Sequence, residues 1–103
     1  MFRVGDAVRV RSWDDMKAEF GLSFNGDISC RYSFTPSMKR FCGEIYHISN
    51  IAPIMPDERD TEVWLEERPM FFDNSRAYVW CAGMLEFADK NKNISIDNIL
   101  AFV

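Results

Sequence analysis

Three cysteines, one histidine and three adjacent carboxylate pairs are the side chains in this 103-residue sequence best suited to covalent, acid–base or metal chemistry. Cys30, Cys42 and Cys81 are odd in number, form no Cys-x-x-Cys and each sit among apolar residues. That usage predicts buried, reduced thiols in a cytoplasmic protein rather than a disulfide framework or a zinc site. His47 lies between Tyr46 and Ile48 in an apolar stretch. With one histidine, no Glu-x-x-His pair and no closely spaced Cys pair, a zinc site is not expected. A nucleophile would need a cysteine folded against His47, and no spacing in the sequence assembles that. The pairs Asp14-Asp15, Asp57-Glu58 and Glu66-Glu67 read as solvated surface charge. No glycine-rich phosphate loop occurs. The expectation is a chain with no catalytic residue, no metal and no cofactor, and therefore not an enzyme.

Binding chemistry is better represented. The formal net charge is −4, which disfavours a general nucleic-acid binder. The charge is unevenly placed. Residues 28–43 hold Arg31, Lys39 and Arg40 and no acid, whereas residues 57–73 hold seven acids against Arg59 and Arg68. Aromatic residues make up 15% of the chain, enough to fill a small core and leave some for a partner. Trp64, Phe71, Phe72, Tyr78 and Trp80 crowd the second half. Trp80 and Phe72 are expected in the core. Trp64 and Phe71, with Glu66 and Glu67, form the first candidate partner surface. Arg31, Tyr32, Lys39 and Arg40 form the alternative, with the cations on phosphates and Tyr32 or Phe34 stacking on bases.

The elements that must position these residues are short. The length allows one domain, residues 1–103. Val4, Ala7, Val8 and Val10 alternate loosely with Asp6, Arg9 and Arg11, the period of a half-buried strand. Ser12 can cap a helix in which Trp13, Met16, Lys17 and Phe20 share one spacing, with Asp15 at the capping-box position and Gly21 as its end. Residues 21–34 read as a loop in which Ile28, Cys30 and Tyr32 alternate as a short edge strand. Thr35-Pro36 marks a second helix start, and Gly43 its end. Residues 44–54, 61–65 and 77–81 read as strands. Met84, Leu85, Phe87 and Ala88 read as one helical turn, and 98–102 as a last strand. Met1-Phe2-Arg3 leads straight into Gly-Asp, so no signal peptide is expected, and no apolar run approaches membrane-spanning length. The order predicts a mainly β fold, α+β by content. It would be a small five-stranded barrel with two short helices inserted after the first strand and one helical turn after the fourth.

Three blocks carry a resemblance. They are Val4-Gly5-Asp6-Ala7-Val8-Arg9-Val10-Arg11-Ser12-Trp13, Phe34-Thr35-Pro36-Ser37-Met38-Lys39-Arg40-Phe41-Cys42-Gly43 and Tyr78-Val79-Trp80-Cys81-Ala82-Gly83-Met84-Leu85-Glu86. Together they resemble the small SH3-like barrel proteins of bacteriophages and prophages, which are also similar to the Mind-bomb type of SH3-like domain. The third block departs from the family pattern, with Cys81-Ala82-Gly83 in place of a polar turn. The resemblance implies an SH3-like barrel. With the absent active site, it implies a non-enzymatic protein-interaction module of a mobile element that binds or inhibits a host or defence protein. The alternative is a nucleic-acid-binding SH3-like domain using the 31–40 face.

Overall fold

The computed structural model describes residues 1–70 and 77–88. The strands are β1 (Ala7–Val10), β2 (Ile45–Ile51), β3 (Glu62–Leu65), β4 (Trp80–Cys81) and β5 (Leu85–Phe87). One α-helix, α1 (Trp13–Phe20), follows β1, and 3-10 turns occupy Pro36–Phe41, Glu58–Asp60 and Ala82–Met84. The strands form a single antiparallel sheet in the order β4-β3-β2-β1-β5.

β1 forms because its alternation is real: Val8 and Val10 are buried, and Ala7 and Arg9 lie on the other face. α1 starts where Ser12, in an extended conformation, accepts the Asp15 N–H at 3.1 Å. It stops at Gly21, whose φ of 76° suits a residue without a side chain, and whose N–H bonds Lys17 C=O at 2.9 Å. The Asp15 carboxylate accepts from Arg11 Nε at 2.8 Å, which ties the helix to the strand before it.

Several expectations change. The Thr35-Pro36 segment is a 3-10 turn rather than an α-helix. The Thr35 side chain bonds the Ser37 hydroxyl at 2.8 Å instead of capping a backbone N–H. Three residues per turn also stack Met38 and Phe41 on the core side. Ile28 makes isolated pairings with Leu22 and Phe34, not an edge strand. The segment 77–81 keeps only Trp80–Cys81 as strand, while Ala77 pairs singly with Met70. Residues 85–87 are strand, not helix. Leu85-Glu86-Phe87 also fits period two, and pairing with β1 (Val10 with Leu85, Val8 with Phe87) decides it. The expected strand at 98–102 and the core position of Phe72 lie outside the described residues.

β4 and β5 are the two edges of the sheet, yet only Ala82–Met84 separates them. Flat strands spaced about 4.8 Å apart would hold those edges about 19 Å apart. Three residues of 3-10 helix cover about 6 Å. The sheet must therefore roll up tightly, although its edges do not pair with one another. The rolled inner face presents Val8, Val10, Ile48, Val63, Leu65, Trp80 and Leu85, closed over by Met16, Ile28, Phe34, Met38 and Met84. Trp80 is buried as expected. Among the described residues no helix is long and apolar enough to cross a membrane.

Candidate binding surface

The stretch from Ala77 to Val79 separates two surface clefts. One, of about 280 Å³, is lined by Ser49, Glu62, Trp64, Arg68, Tyr78 and Val79 among others. The second, of about 460 Å³, lies between the same stretch and residues Arg31, Tyr32, Ser33 and Thr35. Trp64 faces outward from β3, opposite Asn50, and is 43% exposed; Val79 is 47% exposed. The Tyr32 hydroxyl donates to the Glu62 carboxylate at 3.2 Å and so links the two walls. Two residues assigned to rival surfaces by sequence, Trp64 and Tyr32, therefore border neighbouring clefts.

Five arginines divide into two sets. Arg9 pairs with Glu86, Arg11 with Asp15 and Glu19, and Arg59 with Glu19 and Asp57. Arg31 and Arg68, at the clefts, have no carboxylate within ion-pair distance among the described residues. No family model, curated protein or solved structure matches this chain. The surface must therefore be read from its own chemistry.

Of the first candidate set, Trp64 lines a cleft and Glu66 is exposed, its N–H bonded to His47 C=O at 2.7 Å. Glu67 is engaged inside the chain: one carboxylate oxygen accepts the His47 N–H at 2.8 Å and the other lies 2.6 Å from His47 Nδ1. Phe71 lies outside the described residues. Of the alternative set, Arg31 and Tyr32 border the larger cleft, with the guanidinium 5.9 Å from the Tyr32 ring centre. Lys39 sits 4.3 Å over Trp13. Arg40 donates to Met70 C=O at 2.6 Å and lies 4.6 Å from the Phe41 ring centre. Arg68 and Val79 escaped sequence reading, since their placement depends on pairing between distant strands. Phe24 did too: it stands fully exposed beside the Gly26 turn.

The His47–Glu67 pair makes the β2–β3 end of the surface sensitive to pH. The hydrogen bond that the His47 ring makes to the Glu67 carboxylate, then the carboxylate's charge, raise the His47 pKa above 6.5. Partial burial works against the Glu67 carboxylate, but the hydrogen bonds from His47 outweigh it and hold the pKa below 4.5. The raised histidine stabilises the fold below pH 6.5, and that contribution is lost as pH rises through its folded value. The lowered carboxylate stabilises it above pH 4.5, and that is lost as pH falls through its folded value. The pair therefore clamps best between these limits. Titration of the His47 ring by NMR is expected to give a midpoint above the ordinary value in the wild type. In Glu67→Gln it should fall back toward that value; an unmoved midpoint would show that the pair does not form.

The cysteines are all free. The Cys30 thiol donates to Tyr32 C=O at 3.3 Å and lies beside the Cys81 thiol, a juxtaposition that sequence spacing does not reveal. The neighbouring Cys30 thiol, with the backbone around Tyr32, Gly83 and Met84, outweighs burial and lowers the Cys81 thiol to about 7. The same contact, with burial, pushes the Cys30 thiol up. Burial also pushes Cys42 up. Among the described residues, no three His, Cys, Asp or Glu side chains group so as to hold a metal ion.

Proposed function

We propose that this chain is a non-enzymatic protein-binding module of a phage or mobile element, built as an SH3-like barrel and acting by occupying a surface of a host or defence protein. One observation carries the binding part of this reading. Two solvent-open clefts share the Ala77–Val79 segment, and their walls bring together an exposed Trp, two Tyr and two arginines without acidic partners among the described residues. Trp, Tyr and Arg are the side chains that most often dominate binding energy at protein interfaces. The tight roll of the five-stranded sheet supports the barrel, and the three sequence blocks support the mobile-element origin. The nucleic-acid alternative has less support, because Lys39 and Arg40 lie over aromatic rings of the fold itself.

The test is capture from bacterial lysate with the tagged chain, followed by the same capture with Trp64→Ala. Trp64 is outward-facing, so the variant should keep its melting temperature. A captured protein should weaken by about 30-fold, as expected for an interface anchor worth about 2 kcal/mol. A captured set that is identical for both chains would overturn the reading.

A further inference from the structure

The outer edge of β4 leaves backbone groups open beside the larger cleft. In an antiparallel ladder, alternate residues turn their N–H and C=O toward the neighbouring strand and the others turn them away. Tyr78 N–H donates to Pro69 C=O at 2.9 Å, Trp80 pairs with Val63, and Ala82 N–H donates to Thr61 C=O at 2.9 Å. Ala77, Val79 and Cys81 therefore direct their backbone groups away from β3. At Cys81 this edge is covered, since the residue is fully buried and its thiol meets Cys30. At Ala77 and Val79 the cleft lies between the edge and the 31–35 segment. Neither residue makes a backbone hydrogen bond among the described residues.

Exposed edges invite strand addition, and natural proteins usually blunt them with charge or proline. The segment Ala77-Tyr78-Val79-Trp80-Cys81 contains neither. The opposite edge is treated differently: Arg9 reaches past β5 to cap Ala88 C=O at 2.9 Å and pairs with Glu86. Across the cleft from the open edge stands Arg31, exposed and without a carboxylate partner among the described residues.

We propose that the Ala77–Val79 edge takes an extended acidic segment of a partner protein as an added strand, with main-chain pairing to Val79 and Ala77 and a carboxylate side chain on Arg31. This rests on the protein-binding reading above and specifies where and how such a partner docks. An extended peptide supplies donors and acceptors in alternation, as the edge requires. A nucleic-acid backbone supplies phosphate acceptors only and has no donors for the open C=O groups of the edge. Self-pairing of two copies along this edge would bring two Arg31 cations to one seam.

The experiment measures fluorescence anisotropy of the full chain with a labelled alternating (Val-Glu)₄ peptide, a (Val-Lys)₄ peptide and a decathymidine oligonucleotide. The Val-Glu peptide is expected to bind at least about tenfold more tightly than either other probe. Val79→Pro removes an N–H that bonds nothing among the described residues, and edge positions tolerate proline. It should weaken Val-Glu binding by about tenfold or more with little change in melting temperature. Arg31→Glu, at an exposed position, should reverse the preference toward Val-Lys. If Val79→Pro unfolds the chain, the Arg31→Glu reversal decides alone. Binding indifferent to both variants, preference for the oligonucleotide, or a dimer in sedimentation that excludes peptide would each overturn the proposal. If lysate capture depends on Trp64 while peptide binding ignores Val79 and Arg31, the protein-binding reading survives and the edge assignment does not.

Discussion

Trp80→Ala is expected to destabilise the fold by about 3–5 kcal/mol, the usual cost of truncating a fully buried Trp. Trp80 is 2% exposed, and its ring centre lies 6.3 Å from Phe34, 5.9 Å from Phe41 and 6.4 Å from Tyr46. Those neighbours come from the 21–35 loop, the Pro36–Phe41 turn and β2, so one side chain joins three separate parts of the chain to β4. Such aromatic contacts add about 0.5–1.5 kcal/mol apiece beyond burial. Domains of this size have only about 5–15 kcal/mol of stability in total. Urea unfolding followed by circular dichroism should therefore show the midpoint falling steeply. Trp80→Phe is expected to lose much less. The indole N–H is buried with no hydrogen-bond partner among the described residues, and removing it relieves a desolvation cost of about 1–3 kcal/mol. A Trp80→Ala loss under about 1 kcal/mol would remove Trp80 from the centre of the core. The prediction bears on function as well, because Trp80 fixes the strand whose preceding residues, Ala77 to Val79, separate the two clefts.

Local chemistry was legible in the sequence; long-range pairing was not. α1 runs from the residue after Ser12 to the residue before Gly21, because the cap and the left-handed glycine are local signals. Val8, Val10 and Trp80 were readable as core from alternation and size. Trp64 was readable as a surface candidate, since it alternates with Val63 and Leu65, which are buried. Leu85-Glu86-Phe87 misled because three residues fit either period, and only β1 could decide. The Thr35 side chain could have capped backbone or bonded Ser37, and sequence does not rank the two. At the surface, Arg31 and Tyr32 were visible as types. Glu67 could not be foreseen as a partner of His47, twenty residues away, because the register of Ile48 on Leu65 brings them together. The open edge at Val79 is likewise a property of strand order, which places β4 outermost.

Gly83→Ala is expected to cost about 1–3 kcal/mol, the range for overfilling a packed site. The glycine is needed here for space. A Cβ at residue 83 would stand 2.9 Å from Phe20 Cζ and 3.3 Å from both Cβ and C=O of Arg59. The Arg59 carbonyl is backbone and yields little. Phe20 is held too, between the Arg11 and Arg59 guanidinium groups, 5.7 and 5.6 Å from its ring centre. Arg11 in turn donates to Gly83 C=O at 2.8 Å and pairs with Glu19 at 2.7 Å, and Glu19 pairs with Arg59 at 2.6 Å. Moving any one group disturbs the others. The Arg59–Glu19 pair is about half open to solvent on the Arg59 side and contributes at most about 1 kcal/mol, and the Arg11–Glu19 pair, with Arg11 mostly covered, holds the cluster in place rather than offsetting a steric clash beneath it. Phe20→Leu removes the Cζ atom in closest approach, so Gly83→Ala should cost less in that background. A double-mutant cycle by urea unfolding is expected to show coupling of about 0.5 kcal/mol or more. Equal costs in both backgrounds would place the obstruction on Arg59 rather than on Phe20. Through Gly83 the cluster also holds the Ala82–Met84 turn, which carries the chain from β4 to β5. The clash therefore falls at the point where the sheet is rolled, and its expected consequence is loss of β5 pairing along with α1 docking.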